Sequence, residues 1–360
     1  MMVWFHPVNG FLGAGKTTTL LAAARTLRER GHRPAIITND QGTDLVDTVL
    51  ARTATDRVAE VTGGCFCCRF EDLAAAVTSL VEAGADVVLA ESVGSCTDLR
   101  ATVVRPLRRE YGDKLRVGPL TAVVDPDRYR LFARAWDLAA DSDLAYLYHH
   151  QLAEADVIAV NKIDTVAPAL LTAVTADLAV RFPMATVVTY SARSGDVDAL
   201  LDFAEQPDRS TDAELDYDRY AAAEAELAWL NLAVTVTRPG GFQPAAWART
   251  LLETFSLACA ESDSTVGHAK LSMADSAGLT KASLTAAGGP VRLDVVQPDA
   301  VTSSRAMVNV RVAMPPADLD QAVAAAIAAA DTSCDTVSAA EHNRAFRPSY
   351  PRPTHRMPAG

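Results

Sequence analysis

Over the first two hundred positions the apolar residues gather in short continuous runs instead of alternating with polar ones. "VWFHPV", "PAIIT", "RVAEV", "DVVLA", "LTAVV", "DVIAV" and "ATVVTY" are each five or six residues long and mostly rich in Val or Ile. Helical patterns separate most of them. One runs from about Lys16 to Arg30 and is stopped by Gly31; others are "EDLAAAVTSLVEAG", "DLAYLYHHQLAEA" and "PALLTAVTADLAVRF". Strands that are apolar on both faces and alternate with helices predict a doubly wound, mostly parallel α/β sheet over residues 1–204.

The pattern then changes. "EQPDRSTDAELDYDRYAAAE", within 205–229, is polar and acidic and reads as a linker running into a short helix. From 230 to 331 the order becomes strand ("LNLAVTV"), helix ("PAAWARTLLETFSLACA"), four strands ("HAKLSM", "KASLTA", "VRLDVV", "AMVNVRV") and helix ("PADLDQAVAAAIAAA"). That order predicts a smaller α+β domain of ferredoxin-like type. Residues 332–360 are expected to form a Pro-rich extended tail, and no internal repeat is visible.

Composition narrows the function. A net charge of −12 disfavours a general nucleic-acid binder or an anionic-membrane binder. No stretch is long and apolar enough for a membrane span, and "MMVWFHPVNG" lacks the parts of a signal peptide. The expectation is a cytoplasmic protein whose thiols stay reduced. Three of the six cysteines fall within four positions, in "TGGCFCCRF", which in that compartment points to metal or catalysis before disulfides.

"GFLGAGKTT" matches G-x-x-x-x-G-K-[ST] and lies between a predicted strand and a predicted helix. Backbone N–H groups from Gly10, Gly13, Ala14, Gly15, Lys16, Thr17 and Thr18 would wrap phosphate oxygens at the positive end of the helix. Lys16 would reach the β- and γ-phosphates, and the Thr17 hydroxyl would hold Mg²⁺. "NKID" ends the strand "DVIAV". Asp164 can accept two N–H bonds from guanine, a pair that adenine does not offer, while Asn161 meets the base edge and Lys162 covers the ring. Ser191 and Ala192 of "SAR" end the next strand, where a backbone N–H can meet the guanine oxygen. "ESVG" after "DVVLA" assigns Glu91 to Mg²⁺ or its water and the Gly94 N–H to sensing the γ-phosphate; the plain alternative for Glu91 is a surface carboxylate.

With "GFLGAGKTT", "TGGCFCC", "ESVG", "QLAEADVIAVNKID" and the C-terminal α+β region in place, the chain resembles the CobW-like P-loop GTPases, a family of metallochaperones. The resemblance implies GTP binding and hydrolysis to GDP, a transition metal at the cysteine motif and delivery to a client metalloprotein. A cobalt role in cobalamin-related pathways is part of the same family association. The chain departs from the family pattern in three places. "NDQG" replaces Asn-Glu-x-Gly, putting Asp40 where a longer acid is usual; "ESVGSCTD" carries Cys96; and the seven histidines are scattered, with no His-rich stretch.

Cys65, Cys67 and Cys68 can converge on one ion in a tight turn, and three thiolates fit Zn²⁺, tolerate Co²⁺ and are compatible with Cu(I). The plain readings are small buried residues or a redox-sensing thiol. Cys96, two residues past Gly94, is a candidate fourth ligand, and Asp40 is a rival fourth ligand or a switch-loop residue. His149 and His150 are adjacent on a helix, so their side chains diverge and are not expected to share an ion. These residues together predict a metal switch. GTP and Mg²⁺ order the loops at Asn39–Gly42 and Glu91–Gly94, and the cysteine turn between them in sequence responds. The alternatives are a nucleotide-regulated assembly factor with a structural metal, and a small-molecule kinase, which "NKID" disfavours. The sequence sets no oligomeric state.

Overall fold

The computed structural model describes residues 2–42, 45–201 and 214–359. Two compact units emerge: Met1–Gln41 with Asp47–Ala223 and Tyr350–Gly360, and Gly42–Val46 with Glu224–Ser349. Residues 205–213 of the predicted linker lie outside the described residues. The short helix expected after them, α8, is present at Tyr217–Glu226.

The first unit carries strands β1 (Val3–Asn9), β2 (Pro34–Asn39), β3 (Val58–Val61), β4 (Val87–Glu91), β5 (Leu115–Val117), β6 (Thr121–Val124), β7 (Val157–Val160) and β8 (Thr186–Thr189). Their order is β3-β2-β4-β1-β6-β7-β8, with β5 also paired to β1, and every pairing is parallel. This is the predicted doubly wound sheet. Helices follow the strands: α1 (Lys16–Glu29), α2 (Val46–Ala51), α3 (Phe70–Glu82), α4 (Arg105–Tyr111), α5 (Pro126–Asp137), α6 (Asp143–Ala153) and α7 (Pro168–Arg181). Phe5, Ile37, Val88, Ala122, Ile158 and Ala159 are fully buried, as strands covered on both faces require. β1 sits where the order reverses, β2 lying to one side and β6 to the other, so the crevice beyond its C-terminal end is where such sheets bind ligands.

The second unit holds a six-stranded sheet in the order β12-β11-β10-β13-β9-β14. Its strands are β9 (Ala228–Phe242), β10 (Val266–Ala274), β11 (Leu279–Leu284), β12 (Arg292–Val295), β13 (Val301–Val312) and β14 (Val337–Phe346). All pairings are antiparallel. β10-β13-β9-β14, with α9 (Pro244–Glu261) after β9 and α10 (Pro316–Cys334) after β13, is the ferredoxin-like arrangement, and β11–β12 is an inserted hairpin. Trp247, Leu251 and Phe255 of α9 and Leu319, Val323 and Ala326 of α10 pack on the sheet. Residues 332–346 do not belong to the tail as expected. They finish α10 and form β14, an edge strand whose residues are mostly exposed, so its sequence "VSAAEHNRAF" lacks an apolar signal.

Candidate functional site

The phosphate loop joins β1 to α1. Gly15 has φ +101°, and a Cβ there would lie 2.4 Å from the Asn161 amide nitrogen, so no other residue fits. Lys16 Nζ donates to the Gly10 carbonyl at 2.7 Å, reaching across the loop. Thr17 Oγ1 stands 2.8 Å from Asp47 Oδ1 and 3.2 and 3.0 Å from the two carboxylate oxygens of Glu91. A hydroxyl and two carboxylates converging at the head of α1 are the oxygen set that Mg²⁺ takes. Glu91 is buried at the end of β4, not a surface carboxylate. Asp47 was not foreseen. It sits in the first turn of α2, a short helix the apolar pattern did not reveal, and its only signal was an acid a few residues after "NDQG".

"NKID" and "SAR" lie at the ends of β7 and β8. The Asn161 amide donates to the Ala14 carbonyl at 3.0 Å and accepts the Ala192 N–H at 3.0 Å, tying "NKID" to both the phosphate loop and "SAR". Lys162 Nζ donates to Gly13 O at 2.7 Å and to Asp125 Oδ2 at 2.6 Å. Asp125 also caps α5. Burial works against its charge, but the Lys162 ammonium outweighs this and holds the carboxyl below its usual range. Asp164 Oδ1 accepts the Ser191 hydroxyl at 2.7 Å, which aims the carboxylate.

The cysteine turn follows β3. Cys68 N and Arg69 N both donate to Cys65 O, at 3.0 and 2.9 Å, and α3 starts at Phe70. The sulfurs stand 2.6 Å (Cys65–Cys67), 3.4 Å (Cys65–Cys68) and 3.8 Å (Cys67–Cys68) apart. Sulfurs held tetrahedrally at about 2.3 Å from one zinc ion are separated by about 3.8 Å. One pair already has that spacing, one is close, and the third has to open by roughly 1 Å. Among the described residues these three form a group whose ligand atoms lie within 4.8 Å of one another. Cys65 and Cys67 are buried and Cys68 is half-buried. The neighbouring thiols of Cys67, Cys68 and Cys96 hold the Cys65 thiol well below the usual range. The hydrogen bond with Cys65 raises Cys67 and pushes Cys68 up to about 11. The donor set is therefore soft, clustered and ready to lose its first proton, which fits a thiophilic ion.

Cys96 is fully buried and acts electrostatically on Cys65 and Cys67, but among the described residues it stands outside the group of three whose ligand atoms lie within 4.8 Å of one another. Asp40, half-buried, begins the segment after β2, and its N–H donates to Val61 O at 3.2 Å. His149 and His150 pack against aromatic rings, His149 on Trp136 and Phe182 and His150 on Tyr146.

Two buried asparagines join these regions. Asn39 donates to Val61 O and Gly64 O, at 2.9 and 2.8 Å, and its carbonyl accepts from Phe66 N at 3.0 Å and Val93 N at 3.4 Å. Asn9 accepts from Gly10 N at 2.8 Å and Ser92 Oγ at 2.9 Å, and donates to Cys96 O at 3.3 Å. Gly94 lies so close to the phosphate loop that a Cβ would meet Leu12 N at 3.0 Å and Leu12 Cδ2 at 2.6 Å. The segment 92–96 thus contacts the phosphate loop on one side and, through Asn39, the cysteine turn on the other. Glu154 lies beneath it, accepting from Thr97 and from Arg100 N, and burial pushes its carboxyl up to about 8.

A phosphate loop after the first strand of a parallel sheet, an acid ending the adjacent strand and Asn-Lys-x-Asp two strands away define the P-loop GTPase class. Within that class the chain belongs to the CobW/HypB/UreG family, whose nucleotide-binding domain matches residues 5–189. The zinc chaperone CobW of Pseudomonas aeruginosa is 29% identical over a match of 218 aligned positions that covers 52% of this chain and 56% of that protein. The chain thus aligns with little more than half the length of that relative. Among solved structures, Zn(II)-bound YjiA GTPase from E. coli is 15% identical at a TM-score of 0.37, covering 90% of this chain and 99% of its own. HypB from Helicobacter pylori in complex with nickel is 17% identical at 0.39, covering 54% and 81%.

Proposed function

We propose that this chain is a GTP-hydrolysing metallochaperone. It takes up zinc at Cys65, Cys67 and Cys68 and hands the ion to a client metalloprotein in a nucleotide-dependent way; the same thiolates tolerate Co²⁺. Lys16 and the loop N–H groups hold the phosphates of GTP, Asp164 selects guanine, and Asn161 and Lys162 fix the pocket to the loop. Thr17, Glu91 and Asp47 would hold Mg²⁺, which when bound neutralises charge on the β- and γ-phosphates. The Gly94 N–H, on the segment packed against Leu12 of the phosphate loop, would sense the γ-phosphate. Cys96 is the fourth thiol, and Asp40 belongs to the switch segment.

The observation that carries this reading is the pair of asparagine bridges. Asn39 binds the cysteine turn and Val93; Asn9 binds Gly10, Ser92 and Cys96. A change at the phosphate loop that moves residues 92–96 therefore acts on the sulfurs through hydrogen bonds already in place.

Metal analysis of untagged protein together with nucleotide turnover tests the proposal. The expected result is one zinc per chain, lost when the three cysteines are replaced by Ser, with GTP hydrolysed and ATP left intact. Equal turnover of ATP, or zinc retained by the triple variant, contradicts it.

A further inference from the structure

The C-terminal segment does not hang free of the first unit. Arg352 N donates to Cys68 Sγ at 3.2 Å, and Thr354 donates to Cys67 O through N at 3.0 Å and Oγ1 at 3.4 Å. The His355 ring stacks edge-on to Phe70 at 4.8 Å, and its Nε2 lies 2.8 Å from Glu71 Oε1. Arg356 pairs with Asp98 at 2.8 Å, and Met357 N donates to Ala101 O at 2.9 Å while its carbonyl accepts from Arg105. Six consecutive residues thus run from the sulfurs, over the start of α3, to the segment just beyond Cys96.

The sequence of this strip suits the task. Pro351 and Pro353 have no N–H, and the N–H groups between and after them, on Arg352 and Thr354, are the ones used against the turn. Proline at alternate positions keeps the strip extended beforehand, so little chain entropy is lost when it docks. Residues 350–360 carry Arg352, Arg356 and no acid, in a chain of net charge −12. Zn²⁺ bound by three thiolates leaves a net negative centre, which cationic residues complement. Cys68, the sulfur this strip touches, is the least buried of the three and so marks the side from which an ion arrives.

We propose that residues 352–357 form the outer wall of the metal site and that the ion enters and leaves only when this strip lifts. This rests on the reading of the cysteine turn as the metal site. The wall makes release a gated step, and a client that peels the strip away gains access to the ion.

Stopped-flow transfer of zinc to an excess of a chromogenic chelator tests it, comparing the full chain with a chain ending at Ser349 and with Arg356→Ala. The last variant loosens the strip through Asp98 and leaves every contact at the sulfurs in place. The expected result is release at least tenfold faster from the shortened chain and several-fold faster from Arg356→Ala, with GTP affinity within twofold of the full chain. Unchanged release from Arg356→Ala and from a shortened chain that still binds zinc and GTP overturns the wall. A full chain that binds no zinc overturns the metal reading itself, and the wall with it.

Discussion

Asn9 and Asn39 are each nearly or fully buried, and each uses both ends of its amide. A buried amide with unmet donors or acceptors costs about 1–3 kcal/mol per group, so neither side chain can turn away without a replacement partner. That gives the β4 loop a defined position relative to both the phosphate loop and the cysteine turn. Asp47 matters at the same scale. Replacing Asp47 with Asn removes one of the two carboxylate charges beside Thr17, and the Mg²⁺ concentration needed for half-maximal GTP turnover is expected to rise at least tenfold, while GDP binding without Mg²⁺ stays within twofold. An unchanged Mg²⁺ requirement in a titration of turnover removes Asp47 from the metal set. The phosphate loop and "NKID" were legible because their groups are contiguous in sequence and their spacing is fixed by a turn. Asp47, Asp125 and the two asparagine bridges were not, because each acts on a residue far away in the chain, and only the strand order brings the partners together.

At the scale of elements, the parallel strands announced themselves through continuous apolar runs, and their alternation with helices gave the sheet. Elements without such runs were missed: α2, α4 with the π-helical turn Arg100–Val104 before it, the three-residue β5, and α5. β14 gives no strand signal because its residues are mostly exposed and an edge strand of that kind carries little apolar pattern. β1 also carries a stability switch. His6 is buried against Thr121, and burial lowers its pKa to about 4 from the ordinary 6.5. A depressed folded-state pKa means that the unfolded chain binds the proton first. Stability is therefore complete above pH 6.5 and is lost as pH falls toward 4, by up to ~3 kcal/mol. Urea unfolding of the wild type and of His6→Gln at pH 7 and pH 4.5 checks this. The wild type is expected to lose more stability on acidification than the variant, and parallel losses would show that His6 does not titrate in this way.

At the scale of the whole molecule, one unit carries the phosphate loop, "NKID" and three clustered thiols, and its own C-terminal segment contacts Cys68. The ferredoxin-like unit carries no comparable cluster among the described residues. The chain thus combines a nucleotide pocket with a thiol cage whose supporting hydrogen bonds overlap at residues 92–96. Coupling between two such sites is typically about 1–3 kcal/mol and is reciprocal. Zinc affinity measured by chelator competition, with Mg²⁺ and either a non-hydrolysable GTP analogue or GDP, tests this most directly. The two dissociation constants are predicted to differ at least tenfold, about 1.4 kcal/mol, and the difference to shrink in Asn39→Ala. Equal zinc affinity in both nucleotide states would contradict a coupled switch.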